Sequence, residues 1–144
     1  MDVLTLSLER VTDGRSLELD GIRFSEVAFV RIGIDGEELQ SRPQFSDALV
    51  VFDELEKSAT GSGRYLIFTC ACGIAEDGGW EGVEVDLDDS TVRWTLEVAS
   101  EPIRFVFDRA LYVSEINGLR RQLAHEALPL APRGVVFPEG FRRS

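Results

Sequence analysis

Residues 82–98 read GVEVDLDDSTVRWTLEV, and their alternation decides the fold class. Val83, Val85 and Leu87 alternate with Glu84, Asp86 and Asp88; beyond the Asp88-Asp89-Ser90 cluster, Val92, Trp94, Leu96 and Val98 repeat the pattern. Successive strand side chains point to opposite faces, so a period of two gives each arm one apolar and one polar face. A short polar cluster between two such arms closes them into a β-hairpin. The apolar face belongs to a core, and the polar face to water or a partner.

Working outward towards higher numbers, Pro102 precedes IRFVF, a strand with Ile103, Phe105 and Phe107 inward. Asp108 follows as the N-cap of a helix predicted to run to about Leu128. Its stripe is Leu111 or Tyr112, Ile116, Leu119, Leu123 and Ala127, with Asn117-Gly118 as a weak point that could split it. Working back, RYLIFTCAC reads as one strand with Leu66, Phe68, Cys70 and Cys72 on one face. Before it, SDALVVFDELEKSA spaces Ala48, Val51, Phe52, Leu55 and Ala59 as an amphipathic helix, with Ser46 or Asp47 as N-cap. The first 36 residues contain three Asp-Gly pairs between apolar-alternating runs, which predicts short antiparallel connections. The first of them is expected to join VLTLSLERV to SLEL as a hairpin. The sum is an α+β domain: a mainly antiparallel sheet of hairpins and meander with one or two helices on one face. Residues 1–128 form the domain, and residues 129–144 a Pro- and Gly-punctuated tail with Val135, Val136 and Phe137 as a docking segment or edge strand.

Composition fits that reading. A chain of 144 residues with 44% hydrophobic and 28% charged side chains is an ordinary globular domain. At this size it buries roughly two thirds of the surface its unfolded form exposes. No apolar run approaches the roughly 20 residues of a membrane span, and MDVLTLSLER lacks the basic start of a signal peptide. A cytoplasmic protein without a membrane partner is the expectation. The net charge of -11 argues against nucleic acid as a direct partner. Residues 76–101 hold much of it, with nine carboxylates (Glu76, Asp77, Glu81, Glu84, Asp86, Asp88, Asp89, Glu97, Glu101) against Arg93, a local charge of -8.

The residues for catalysis are sparse. His125, the one histidine, falls outside the apolar stripe of its helix, next to Glu126, as a solvated residue rather than a base. There is no phosphate-cradling glycine loop and no His-Glu-x-x-His helix. Cys70 and Cys72 could give two thiolates to a metal, but a tetrahedral site needs two further ligands, and only His125, Glu76 and Asp77 remain. Paired as Cys-x-Cys they also lack the Cys-x-x-Cys of a thioredoxin-type redox site. Both thiols on one strand face pack as small apolar groups. Asp86, Asp88 and Asp89 lack the spacing of a calcium-binding EF-hand loop. No cofactor is expected.

The stretch YLIFTCACGIAEDGGWEGVEVDLDDSTVRWTLEV resembles a group of uncharacterised bacterial proteins. In that group a strand runs into Cys-x-Cys-Gly, a third cysteine follows five residues after the second, and a Val-x-Val strand and a Val-x-Trp strand come next. Cys70, Cys72, Gly73, Val83, Val85, Val92 and Trp94 match, whereas Asp77 stands where the third cysteine falls. The resemblance covers residues 64–98. It implies no activity, and Asp77 would weaken any three-thiolate site. The leading expectation is a non-enzymatic acidic module that binds a basic protein, such as an immunity protein neutralising a bacterial toxin. Glu76, Asp77, Glu84, Asp86, Asp88 and Asp89 would form the contact, with Trp80 as aromatic anchor. The alternatives are a thiol or metal protein built on Cys70 and Cys72, and a structural or oligomerisation domain.

Overall fold

The computed structural model describes residues 1–19, 21–45, 48–69, 82–96, 102–132 and 141–143. In chain order the strands are β1 (Leu4–Val11), β2 (Leu17–Leu19), β3 (Ile22–Phe24), β4 (Val27–Ile34), β5 (Glu37–Glu38), β6 (Leu49–Val50), β7 (Gly63–Tyr65), β8 (Phe68–Thr69), β9 (Val83–Leu87), β10 (Thr91–Leu96) and β11 (Ile103–Asp108). The helices are α1 (Phe52–Ser58) and α2 (Arg109–Leu123). The named strands pair antiparallel throughout, and the fold is α+β as the alternation predicts.

The hairpin of residues 83–96 forms the middle of a four-stranded sheet in the order β11-β10-β9-β7. Its register sets Trp94 between Val85 and Phe105, so the inward residues line up across three strands. Trp94 is fully buried and meets Phe105, Phe107, Phe68 and Tyr112 edge-on, with Phe107 nearest at 5.1 Å between ring centres. Edge-to-face packing of this kind adds to the burial energy of the rings.

A second sheet, β1-β4-β5, contributes Leu4, Val30, Ile32 and Ile34 to the same core. The sheets are joined where Asp2 runs parallel to Phe107: the Asp2 N–H donates to the Val106 carbonyl (2.7 Å) and Asp2 Oδ2 accepts from the Val106 N–H (2.8 Å). β4 turns into β5 through Asp35 and Gly36, both at positive φ (54° and 83°), with Ile34 opposite Glu37. Two residues at positive φ give that loop the twist that matches the right-handed twist of the strands it joins, and glycine adopts this left-handed backbone region without strain. α2 lies on the inner face through Tyr112, Ile116 and Leu119, and its N-cap is Asp108, whose Oδ1 accepts from the Leu111 N–H (2.9 Å).

Several expectations change. β1 does not pair with β2; all eight of its residues pair with β4, from Leu4 opposite Ile34 to Val11 opposite Val27. Asp13-Gly14 makes a local turn, with the Arg15 N–H on the Thr12 carbonyl, and β2-β3 is a separate hairpin. Long apolar β4 buries more with β1 than the three-residue β2 could. The amphipathic helix is only Phe52–Ser58: Leu49 and Val50 form β6 and pair with Thr69 and Phe68, and no side chain caps α1. Residues 48–52 are all buried, so Ala48 to Val51 do not sit on one helical stripe but run through the core, with β-branched Val50 and Val51 in extended chain. Ser46 and Asp47, the expected caps, lie outside the described residues.

RYLIFT is two short strands, not one, with Leu66 and Ile67 between them both fully buried. α2 is one unbroken helix through Asn117-Gly118 and stops at Leu123, and Leu111 is exposed while Tyr112 takes the inward position. The chain beyond Leu128 returns to the domain, where Ala28 donates to the Pro129 carbonyl (2.9 Å) and accepts from the Ala131 N–H (3.0 Å). Val135, Val136 and Phe137 lie outside the described residues.

Candidate functional site

The outward face of the β7-β9-β10-β11 sheet is built by the same alternation that fills the core. Because Val83, Val85, Val92, Trp94, Phe105 and Phe107 point inward, Glu84, Asp86, Arg93 and Arg104 must point out, and all four are exposed. α2 contacts β10 and β11 through its buried stripe, on the opposite side. The outer face is therefore an ordered, open platform of charged side chains.

Its electrostatics differ from the local charge of -8. Pairing sets Asp86 opposite Arg93, Glu84 opposite Thr95 and Arg64, and Thr95 opposite Arg104. Directly opposite residues of unlike charge attract weakly across a sheet. Arg64 and Arg104 come from outside residues 76–101, so the neighbouring strands intersperse cations among the acids of β9. The register thus sets an arginine opposite each of Glu84 and Asp86.

Asp88 plays a different part. Its Oδ1 accepts from the backbone N–H groups of Ser90 (2.9 Å) and Thr91 (2.7 Å), and Oδ2 accepts from the Thr91 hydroxyl (2.7 Å). The Thr91 hydroxyl and then the two N–H groups hold its carboxyl down to about 2, because each bond favours the ionised form. Asp88 shapes the turn with both its oxygens. Asp89 is exposed beside it and lines a shallow groove with Arg109, Val113, Ser114 and Arg121 of α2. Arg109 is fixed there, its Nη1 donating to the Asp88 carbonyl (2.7 Å).

Of the residues expected at the contact, Glu84, Asp86, Asp88 and Asp89 thus lie along one strand and its turn. Glu76, Asp77 and Trp80 lie outside the described residues, as do Cys70 and Cys72. His125 is exposed, two residues past the end of α2. Among the described residues no three His, Cys, Asp or Glu side chains come together to hold a metal ion, and no helix is long and apolar enough to cross a membrane.

Sequence reasoning missed Glu54. It looks like one more charge on the polar face of α1, yet its side chain is 1% exposed and pairs with Arg143, 89 residues away. Its position next to Leu55 was the available signal, and nothing local marks its partner. No protein-family model, curated protein or solved structure matches the chain.

Proposed function

We propose that this protein is a non-enzymatic protein-binding module whose contact surface is the open face of the β7-β9-β10-β11 sheet, including the β9-β10 turn. The observation that carries the reading is the exposure of Glu84, Asp86, Arg93 and Arg104 on one rigid, hydrogen-bonded platform. The strands fix the backbone that carries these side chains, so a complementary partner has only their rotamers to order on docking. The net charge of -11 steers cationic proteins towards the chain, and the alternation of acids and arginines across the face selects among them. Asp89 adds a carboxylate at the turn, beside Arg109 of α2, while Asp88 contributes through the turn it holds.

The concrete form of this reading is an immunity protein that covers the cationic groove of a bacterial toxin, in the cytoplasm where such a toxin would act. Glu76, Asp77 and Trp80 enter the contact on sequence grounds. Co-expression with the product of the neighbouring gene tests it. The chain should restore growth against a toxic neighbour, and Glu84→Lys with Asp86→Lys should remove that protection while the purified variant still melts cooperatively. Protection undiminished by the double reversal would exclude this face.

A further inference from the structure

The four-stranded sheet ends at β7, and the segment Phe141–Arg143 lies along that edge. The Arg64 N–H donates to the Arg143 carbonyl. A Cβ at position 63 would sit 2.8 Å from that same oxygen, so Gly63 leaves the space through which the segment passes. The Arg143 guanidinium then turns inward. Its Nη1 and Nη2 meet Glu54 Oε1 (3.0 Å) and Oε2 (3.1 Å), Nη1 also donates to the Arg64 carbonyl (3.3 Å), and the group lies 4.5 Å from the centre of the Tyr65 ring. Glu54 is held for this role, since Oε1 also accepts from the Leu66 N–H (3.0 Å) and the side chain is 1% exposed. Two residues earlier, the Phe141 ring lies 5.2 Å from the Arg64 guanidinium.

A buried carboxylate met by a planar fork, a carbonyl within reach of one arm and an aromatic ring beneath is a set of contacts that arginine satisfies and lysine cannot. Main-chain pairing at a sheet edge together with pockets for alternate side chains is the way edge strands read extended peptides. We propose that the β7 edge and Glu54 form a docking site for an extended segment of a basic partner protein carrying an aromatic-x-arginine sequence, which Phe141–Arg143 occupies in cis. The acidic net charge of the chain favours such a partner. This site shares no carboxylate with the sheet face described above, so either can fail without the other. While tethered, Phe141–Arg143 competes at high local concentration, and an incoming segment binds when that seat is weakened.

A labelled peptide EGFRRS tests this by fluorescence anisotropy against the wild-type chain, Arg143→Ala and Arg143→Lys, each first shown to be folded by its circular dichroism melt. The expected result is saturable one-to-one binding to the variants, at least tenfold tighter than to the wild type. Binding should vanish when the peptide arginine corresponding to Arg143 is alanine, or when Glu54→Gln is added to the variant. Should Arg143→Ala not fold, Arg143→Lys, which keeps a charge near Glu54, decides the matter. Absence of binding to a folded variant, or equal binding of the alanine peptide, would overturn the proposal and leave Phe141–Arg143 as a structural closure.

Discussion

At the residue scale, the Asp88 carboxylate accepts hydrogen bonds from Ser90 and Thr91 that all favour its ionised form, so the proton it takes up in acid is linked to the geometry of the β9-β10 turn. Its folded value of about 2 lies below the unfolded value of 3.8. The stabilisation is therefore complete above about pH 4 and is lost as pH falls from there through about 2. Asp88→Asn should melt at a lower temperature than the wild type at pH 6, and the gap should close as the pH approaches 2; a gap independent of pH would contradict this. Tyr112 is the buried counterpart. Its hydroxyl meets Ser58 Oγ (2.5 Å) and accepts from Trp94 Nε1 (3.2 Å), and burial pushes the phenol up to about 12. Tyr112→Phe leaves the indole N–H without that acceptor in the core and should cost about 1–3 kcal/mol in urea denaturation. The role of Asp88 as a turn residue is legible in the sequence, because an Asp-Asp-Ser cluster between alternating runs has few other uses. The burial of Glu54 is not, because α1 is only seven residues long and its partner comes from the far end of the chain.

At the scale of elements, periodicity told strand from helix best where one face alone is buried, as in β9, β10 and α2. It failed where both faces are covered: residues 48–52 and 65–69 are buried without alternation, and there a helical spacing and an extended run look alike. Nor does a period name a partner, which is why β1 was matched to nearby β2 when it pairs with β4 across an inserted hairpin. The Asn117-Gly118 pair shows propensity overridden by packing, since Ile116 and Leu119 on either side hold α2 to the core. A Cβ at Gly118 would meet only the Arg121 guanidinium, at 4.0 Å. Gly118→Ala should thus stabilise the fold by about 0.5–1 kcal/mol, seen as a raised urea midpoint at unchanged slope. Arg143→Ala works in the opposite direction. It removes two charge-assisted hydrogen bonds from the buried Glu54 carboxylate, which keeps the Leu66 N–H and Lys57, and should cost about 1.5–3 kcal/mol by the same measurement.

At the scale of the molecule, two sheets meet at Asp2 and Phe107 around one aromatic-rich core, α2 lies on the inner side, and the outer face of the larger sheet stays open. The hairpin of residues 82–98 announced that open face in the sequence. Its charge pattern was only partly legible there: Arg93, opposite Asp86, belongs to the same hairpin, whereas Arg64 of β7 is set opposite Glu84 by the register alone. What results is a surface of ordered, alternating charge on an acidic protein, which we propose binds a basic protein. The direct measurement is capture on immobilised chain from an extract of the source cells, with Glu84→Lys/Asp86→Lys as the comparison, followed by calorimetric titration of the captured protein. A basic protein should bind the wild type, bind the folded double variant at least tenfold more weakly, and lose affinity as salt rises. A captured protein that binds both chains with equal affinity would contradict it.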